Sequence, residues 1–501
     1  MEAKRMRVVV VGAGLAGMSA AIRLAAEGNE IILVEKGDRV GGKLNIREGL
    51  GFRFDTGPSI LTMPWVLEQL FSSAGKNLHE YLKLVRVTPE WRAFWPDGTR
   101  MNMESDLVGM MNNLHEFSPG EEDHLLDYLN HAQKLYQLTK KGFYKQTIRG
   151  LADLRRLHSW KELLAMDPMK TVHQTTSQYF NSEKVQQLFD FLVMYVGSSP
   201  YDAPAILTQL AHVQLGLGVW YIEGGLYNLA RAEQRVLEEL GVKILLQTEV
   251  ERIDAPSGVA TGVILKDGSR MSADVVVCNL EVPTAWRTLL KDHPKRAAVL
   301  SEISKFSPSV SGLVLLLGLD TQYPELAHHN FFFSSQPEVE FSQVFQHAVP
   351  AQDPTIYIGV SARSDSTQAP VGKDNLFVLT HVPPLAEGED WSSQAARYRE
   401  VVLAKLEHMG LKDLRTHIEW EYQFTPNELK QLYGAHGGSI YGVVSDRKRN
   451  GGFKIANQSS EVRNLYFVGG STHPGGGVPM VSLSGYLTAQ AILSSIATPV
   501  R

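Results

Sequence analysis

A glycine-rich turn between an apolar strand and a helix constrains this chain more than any other feature. The turn, Gly12-Ala13-Gly14-Leu15-Ala16-Gly17, matches the pattern G-x-G-x-x-G. The residues before it, Arg7–Val11, are apolar after the first, which predicts a strand buried on both faces. An Ala-rich helix is predicted from about Leu15 to Glu27, ended by Gly28, and a second strand over Glu30–Val34. The N-terminus is therefore predicted to form a strand–helix–strand unit of a parallel α/β sheet.

Each glycine of this turn has its own physical reason. Gly12 allows the tight turn off the strand, Gly14 lets the backbone approach a pyrophosphate, and Gly17 lets helix and strand pack closely. The helix N-terminus offers free N–H groups and a partial positive charge to phosphates. Glu35 lies about 20 residues downstream, where a carboxylate accepts hydrogen bonds from a ribose. These features predict a dinucleotide site, against the alternative of a glycine-rich turn that binds nothing.

The residues after Glu35 extend this nucleotide-binding pattern. A double glycine, Gly41-Gly42, is followed by Lys43, whose ammonium can reach a phosphate. A second segment, Phe54-Asp55-Thr56-Gly57-Pro58, comes shortly afterwards. Nicotinamide enzymes do not generally extend the pattern in this way, whereas FAD enzymes of the glutathione-reductase-like group do, and the span resembles theirs. The residues predicted here to contact FAD are Lys36, Gly42, Lys43, Gly57, Pro58 and Ser59.

A second dense glycine cluster lies near the C-terminus. The run Gly469-Gly470-Ser471-Thr472-His473-Pro474-Gly475-Gly476-Gly477-Val478-Pro479-Met480 follows a predicted strand and precedes a helix predicted to begin near Val481. Permissive backbone at a helix N-terminus suits the ribityl chain of a flavin or its ring carbonyl at N1–C2=O. The alternative is a turn needed only for packing. His473 is the candidate catalytic residue of this cluster, and the competing interpretation is a structural histidine bonded to a carbonyl.

Composition narrows the class of protein. The 501 residues carry Lys+Arg 49 against Asp+Glu 54, and this near balance predicts no nucleic-acid partner. A single cysteine, Cys278, excludes an internal disulfide and a cysteine-based metal site, and the scattered histidines predict no other metal site. The basic first residues are not followed by the apolar stretch of a secretion signal. No apolar run approaches the ~20 residues that span a bilayer.

The start, middle and end of the chain share the same pattern of short apolar strands and helices. This shared pattern predicts one discontinuous domain. No strong strand signal appears between about 70 and 215, so this stretch is expected to be mainly helical, with helices at Glu122–Leu138 and Val185–Val196. The predicted division is a Rossmann-like FAD-binding domain over 1–75, 221–283 and 441–501, a helical substrate and membrane-association region over 76–220, and a β-rich substrate region over 284–440. The fold class is α/β, glutathione-reductase-like, with an inserted mixed α+β substrate domain and a helical membrane-associated part.

The whole chain resembles the carotenoid desaturases and oxidases of the bacterial phytoene desaturase family. The likeness is carried by the first glycine turn, by Gly57-Pro58-Ser59-Ile60-Leu61-Thr62-Met63-Pro64 and by the run Thr472–Pro479. Within the family the chain is most similar to the 4,4′-diaponeurosporene (4,4′-diapolycopene) oxygenases, the branch that acts on C30 carotenoids. The strings that carry this closer likeness are Trp91–Gly98, Tyr195–Pro204, Tyr323–Phe333 and Ile440–Val444.

The resemblance implies FAD as cofactor, an apolar carotenoid substrate and peripheral attachment to the cytoplasmic face of the cell membrane. It implies an ADP half held by Gly12, Gly14, Gly17, Glu35, Gly42 and Lys43. It places Val250 at the adenine, and near the flavin it places Gly470, Gly477, Val478, Pro479 and Met480. Many related flavoenzymes carry an Asp where Ser471 stands, so the ribityl–phosphate contact would come from backbone or from Ser471.

Three activities remain open at this point. The first is oxidation of terminal methyl groups of a C30 carotenoid to the aldehyde, and the second is desaturation of a carotenoid. The third is a flavin-free binding protein of the kind that escorts prenylated proteins. The intact Gly12–Gly17 turn and Glu35 argue against the third. The sequence Thr472-His473-Pro474 is compatible with both the desaturase and the oxygenase branch.

Two segments are candidates for contact with apolar partners. Residues His328–Phe333 are either a strand with its turn or an aromatic wall of the polyene tunnel. Basic residues lie among Leu and Trp between Arg149 and Leu164, which suits an interfacial helix on anionic lipid. The alternative is a helix that packs on its own domain. A homo-oligomer is compatible with the sequence.

Overall fold

The computed structural model describes residues 5–497, so the outermost ends of the predicted first and last segments, 1–4 and 498–501, lie outside the described residues. The strands, in chain order, are β1 (Arg7–Val11), β2 (Glu30–Val34), β3 (Ile46–Gly49), β4 (Phe52–Asp55), β5 (Leu84–Arg86), β6 (Trp91–Phe94), β7 (Arg100–Met103), β8 (Trp220–Ile222), β9 (Lys243–Leu245), β10 (Val250–Asp254), β11 (Gly262–Leu265), β12 (Arg270–Ser272), β13 (Val275–Cys278), β14 (Ser311–Leu319), β15 (His329–Phe332), β16 (Ile356–Gly359), β17 (Asp374–Val382), β18 (Ile418–Phe424) and β19 (Leu465–Phe467). The α-helices are α1 (Leu15–Ala26), α2 (Trp65–Ser73), α3 (Leu107–Phe117), α4 (Glu122–Gly142), α5 (Leu151–Leu157), α6 (Trp160–Ala165), α7 (Val172–Thr176), α8 (Glu183–Asp190), α9 (Asn228–Glu239), α10 (Val282–Thr288), α11 (Arg296–Ile303), α12 (Pro337–Phe345), α13 (Ser392–His408), α14 (Pro426–Tyr433), α15 (Arg447–Asn450) and α16 (Val478–Ala497).

A parallel sheet of five strands, in the order β19-β13-β1-β2-β9, carries the first glycine turn. Strand β1 lies between β13 and β2, and its valines are buried on both faces. The predicted strand–helix–strand unit is therefore confirmed as β1, α1 and β2. The sheet combines strands from the N-terminal, central and C-terminal parts of the chain, which brings both glycine clusters to one end of the same sheet.

The two ends of the chain also meet through helices. Helix α16 begins at Val478, a few residues before the predicted start, and packs along α1. A Cβ atom added at Gly485 would lie 2.1 Å from the carbonyl oxygen of Ala16. Glycine at position 485 therefore allows a backbone-to-backbone contact that any side chain would push apart.

A second sheet has the strand order β18-β14-β17-β16-β15-β6-β7. The stretch that was expected to be mainly helical contributes two strands to this sheet, β6 and β7. Each has only four residues, too few for alternation to be distinguished from noise in the sequence. Strand β6 pairs in parallel with β15, and this distant partner stabilises the short strand.

The helical segment matches the prediction in part. Helix α4 covers the predicted Glu122–Leu138, whereas the predicted helix Val185–Val196 ends at Asp190 and continues as a 3₁₀ turn. The predicted interfacial helix is two short helices, α5 and α6. Ser159 caps α6 in a capping box with Glu162, which starts a new helix instead of continuing α5. Among residues 5–497, none of the helices is long and apolar enough to cross a bilayer.

Candidate FAD and substrate site

A cavity of 1230 Å³ lies where the parallel sheet, the second sheet and the helical segment meet. Both glycine clusters line it, as the sequence predicted for the two ends of one cofactor. The predicted site residues that line the cavity are Gly12, Gly14, Leu15, Ala16, Glu35, Lys36, Gly42, Lys43, Gly57, Pro58, Ser59, Val250, Gly470, Gly477, Val478, Pro479 and Met480. Ala13 and Gly17 are buried and do not line it.

The first glycine turn leaves no room for side chains. A Cβ atom on Gly17 would lie 2.2 Å from the carbonyl oxygen of Gly12, and one on Gly14 would lie 2.6 Å from the side-chain amide of Asn279. Gly12 itself has a φ of +95°, a backbone conformation that favours glycine. The N-terminus of α1 is thereby open to the cavity, with its free N–H groups available to a pyrophosphate.

Glu35 holds the same turn in place. Its carboxylate accepts hydrogen bonds from the backbone N–H groups of Ala13 and Gly37, both at 2.8 Å. A carboxylate has about four acceptor sites, so lone pairs remain for the hydroxyl groups of a ribose in the cavity. Val250, at the start of β10, lines the adjoining part of the cavity, where the adenine was predicted.

The predicted basic residue Lys43 lines the cavity but is already engaged. Its Nζ donates to Glu281 Oε1 at 3.1 Å and to the carbonyl oxygens of Ser439 and Ile440 at 2.8 and 3.1 Å. The ammonium therefore ties three segments together behind the cofactor site. Phosphate binding by Lys43 stays a prediction.

The second glycine cluster, like the first glycine turn, forms a stretch of cavity wall made of backbone without side chains. Each of these two stretches is called a cradle. Gly475 and Gly477 have φ values of +135° and +95°, and α16 begins immediately afterwards with its N-terminus open to the cavity. A Cβ atom on Gly476 would lie 2.6 Å from the carbonyl oxygen of Tyr441. Glycine at position 476 therefore lets this loop pack against the backbone of Tyr441. The N-terminus of α16 would offer its free N–H groups and the positive end of its dipole to a flavin in the cavity. Two open helix N-termini and two side-chain-free cradles in one cavity fit FAD.

The structure does not support His473 as a catalytic residue. Its imidazole is fully buried behind the cavity wall, and Nε2 donates to the carbonyl oxygen of Phe143 at 2.8 Å. Burial lowers the pKa of His473 to about 4, so the ring is neutral at pH 7. The competing interpretation, a structural histidine bonded to a carbonyl, matches this geometry.

The side chain of Ser471 is engaged in a hydrogen bond within the protein. Its hydroxyl is fully buried and accepts from the backbone N–H of Val282 at 3.1 Å, so it completes the N-terminus of α10. The side chain points away from the cavity that its neighbour Gly470 lines. Any contact with the ribityl–phosphate region from this position would come from backbone.

Two site residues were missed in the sequence. Asn279 follows strand β13 and its amide lies against Gly14, Gly17 and Gly469, so it joins the two glycine clusters. Its place directly after a buried parallel strand was a usable signal. Lys454 is a buried lysine in the cavity wall whose Nζ donates to the carbonyl oxygen of Val443. Burial lowers the pKa of Lys454 to about 7, and no sequence pattern marked it.

The other half of the cavity is apolar and aromatic. Of the predicted aromatic wall, Phe331 lines the cavity. Phe332 faces the opposite side of the sheet and Phe333 packs on Trp95. Further rings around the cavity, from distant parts of the chain, are Trp91, Phe191, Tyr195, Tyr357, Phe377 and Tyr441. Among residues 5–497, no group of three or more His, Cys, Asp or Glu side chains is placed to hold a metal ion.

The cavity reaches the surface at helices α5 and α6. Leu151, Trp160 and Leu164 line it there, and each is 65–68% exposed. The Arg155 guanidinium lies 4.8 Å from the centre of the Trp160 ring. Large apolar side chains thus surround this opening and face solvent, an arrangement typical of a contact with an apolar partner.

Comparison with known proteins agrees with this site. The family described as "Flavin containing amine oxidoreductase" matches residues 15–493. The 4,4′-diapolycopene oxygenase of Methylomonas sp is 43% identical over 496 residues, which are 98% of each chain. The 4,4′-diaponeurosporene oxygenase of Staphylococcus haemolyticus is 42% identical over 487 residues, which are 97% of each chain.

Solved structures share the fold at low identity. An oxidoreductase from Methanosarcina mazei has a TM-score of 0.63 at 17% identity, covering 98% of this chain and 100% of the other. RAB GDI from Plasmodium falciparum has a TM-score of 0.52 at 13% identity, covering 99% and 98%. The mixed α/β fold and the FAD cofactor predicted from the sequence are thus confirmed. The chain belongs to the flavin-containing amine oxidoreductases, in the carotenoid desaturase and oxidase group, on the branch of the diapocarotenoid oxygenases.

Proposed function

We propose that this FAD-dependent oxidoreductase oxidises the terminal methyl groups of a C30 carotenoid to the aldehyde. The observation that carries this function is a single cavity in which an apolar, aromatic half adjoins the FAD cradle. The names of relatives that match nearly the whole chain support the same reaction and substrate class. The second sheet and the helical segment supply the apolar half, so we infer that together they form a substrate region inserted into the FAD-binding unit.

The chemistry requires little acid–base machinery from the protein. Oxidation of R–CH₃ to R–CHO removes four electrons and adds one oxygen atom, and with O₂ as oxidant the net balance is R–CH₃ + O₂ → R–CHO + H₂O. Bound FAD supplies the two-electron acceptor. The chain's own residues orient the polyene and exclude water, since apolar side chains such as Phe331, Phe377 and Leu379 line the cavity.

Two other functions fit the same fold less well. A carotenoid desaturase would use the same cofactor and differ in how the substrate lies against it. A flavin-free escort protein would have the same fold without a cofactor. It would need neither the helix N-termini that open on the cavity nor Glu35 beside them, and this chain has both.

Expression in cells that make 4,4′-diaponeurosporene tests the reaction. We expect pigments that gain one oxygen and lose two hydrogens per oxidised end, because the terminal methyl group becomes an aldehyde. Mass spectrometry of the extracted pigments measures this, and parallel growth under ¹⁸O₂ identifies the source of the oxygen. Products that lose only hydrogen would favour the desaturase. A purified protein without flavin absorbance after FAD reconstitution would contradict both the oxidase and the desaturase function.

We also propose that α5, α6 and the following turn attach the protein to the cytoplasmic face of the membrane. Leu151, Trp160, Leu164 and Met169 are each at least 65% exposed. The basic residues of the same segment are Arg149, Arg155, Arg156 and Lys161. Apolar side chains inserted between lipids and cations on anionic headgroups are the features of interfacial helices. Attachment here would place the cavity opening against the apolar interior that dissolves the substrate.

Serine substitutions of exposed apolar residues test the attachment. We expect the triple variant Leu151→Ser, Trp160→Ser, Leu164→Ser to bind vesicles of anionic lipid at least about tenfold more weakly. The variant has much less apolar surface to bury in the lipid. Co-sedimentation measures binding, and FAD content checks folding. The matched control is Leu50→Ser with Val371→Ser, two exposed apolar residues outside this segment. Equal binding by the two variants would contradict the proposed surface.

A further inference from the structure

Four side chains from adjacent strands form a row along the apolar half of the cavity. Val314 on β14 pairs with Leu379 on β17, Leu379 pairs with Tyr357 on β16, and Tyr357 pairs with Phe331 on β15. All four line the cavity. Since neighbouring strands lie about 4.8 Å apart, the row extends for roughly 14 Å across the sheet. An extended apolar molecule has a continuous surface to lie on in this direction.

Phe331 pairs with Ala93 on the next strand, β6. Trp91 lies two residues before Ala93 on the same face of that strand, so it stands beside the end of the row. It lines the cavity, is 1% exposed, and its ring centre lies 4.1 Å from that of Phe331. Its indole N–H donates to the hydroxyl of Tyr195 at 3.1 Å, and that hydroxyl donates to Gln214 Oε1 at 2.6 Å. The polar edge of the indole is therefore satisfied inside the protein, and the ring is held in one orientation.

The same end of the row lies next to the second glycine cluster. A Cβ atom on Gly477 would lie 3.9 Å from the carbonyl oxygen of Tyr195, and one on Gly476 would lie 2.6 Å from that of Tyr441. Tyr195 thus accepts a hydrogen bond from Trp91 with its side chain, and its backbone carbonyl lies near the cradle at the start of α16. The end of the apolar row and the place predicted for the flavin are joined through this one residue.

We propose that Trp91 is the end stop of the substrate channel and that it selects which carbon of the polyene is oxidised. A polyene that lies along the row and ends against Trp91 has its terminus beside the cradle. Without the indole, the chain can slide further, and an inner carbon takes that place. This inference rests on the proposed function, because it explains why oxidation falls on the end of the molecule.

Replacement of Trp91 by alanine tests the end stop in cells that make 4,4′-diaponeurosporene. We expect the share of terminal aldehyde to fall about tenfold and products that lose only hydrogen to appear, because one pocket contact changes discrimination by that order. We also expect more C40 acyclic carotenoid to co-purify with the variant, a readout that does not depend on turnover.

Trp95 provides the matched control. It is a buried tryptophan of the same core, its indole N–H donates to Gln187 at 2.9 Å, and it does not line the cavity. Trp95→Ala should keep the wild-type products. Equal product patterns from Trp91→Ala and Trp95→Ala, whether shifted or unshifted, would overturn the end stop. If Trp91→Ala does not retain FAD, Trp91→Phe against Trp95→Phe repeats the comparison. A wild-type protein that makes no oxygenated pigment would refute the proposed function instead.

Discussion

The variant Glu35→Ala is expected to fold and to lose FAD on dialysis. The carboxylate accepts from the N–H groups of Ala13 and Gly37 at 2.8 Å and faces the cavity where the ribose was predicted. Without this carboxylate the ribose hydroxyl groups lose a charged hydrogen-bond acceptor. The glycine turn also loses the two hydrogen bonds that hold it in place. Hydrogen bonds to charged groups contribute about 1.5–3 kcal/mol each, so FAD affinity should fall roughly tenfold to a hundredfold or more. Absorbance of bound flavin per protein after dialysis measures the loss.

Glu30→Ala is the control for this prediction. Glu30 begins strand β2, has a side chain that is 42% exposed, and pairs with Arg7 at the surface. Surface ion pairs contribute little, so FAD retention should be unchanged. If dialysed Glu35→Ala kept as much flavin as Glu30→Ala, the ribose assignment of Glu35 would be wrong.

The variant Lys454→Met is expected to be more stable than the wild type at neutral pH. Burial lowers the pKa of Lys454 from 10.5 to about 7, because its ammonium has left water for a carbonyl partner, that of Val443. Between these values the unfolded chain binds more protons than the folded protein, so wild-type stability rises with pH. A shift of this size corresponds to up to about 5 kcal/mol. Methionine keeps the length of the side chain and removes the charge.

Denaturation of FAD-stripped protein between pH 7 and pH 9.5 measures this effect, since a bound cofactor would add charges of its own. The gap in the free energy of unfolding between Lys454→Met and wild type should be largest near pH 7 and shrink as the pH rises. Lys266→Met removes an exposed lysine and should leave the wild-type slope intact. A constant gap across this range would mean that Lys454 does not titrate there.

The sequence predicts those parts of the site that are encoded locally. The turn at Gly12–Gly17 needs only its own glycines and the strand before it, and Glu35 follows at a fixed distance, so both could be placed without tertiary information. The catalytic and structural interpretations of His473 could not be separated in the sequence, because its burial and its bond to the carbonyl of Phe143 arise only in the folded protein. In the sequence, Trp91 stood out only as part of the segment Trp91–Gly98, which carries the family resemblance. Its place beside the cavity depends on a four-residue strand that pairs with the distant strand β15.

Lys454 and Asn279 show a second limit of sequence reasoning. Lys454 lies in an irregular stretch, and nothing before folding distinguishes it from the many lysines at the surface. Asn279 gains its importance from three glycines that are far away in the chain. Periodicity reports which face of an element is buried, whereas these residues matter because of which segments meet there.

The packing of α16 on α1 sets the order of events during synthesis of the protein. Roughly 470 residues separate Ala16 from Gly485, and a ribosome that adds about 5–20 residues per second needs roughly 25–95 s to cover them. During this time the first strand and helix have emerged without β13, β19 or α16 to cover them. FAD cannot be enclosed until the second cradle is made, so cofactor insertion follows translation. The nascent N-terminal segment therefore keeps apolar surface uncovered for most of this time, the state of a chain to which chaperones bind.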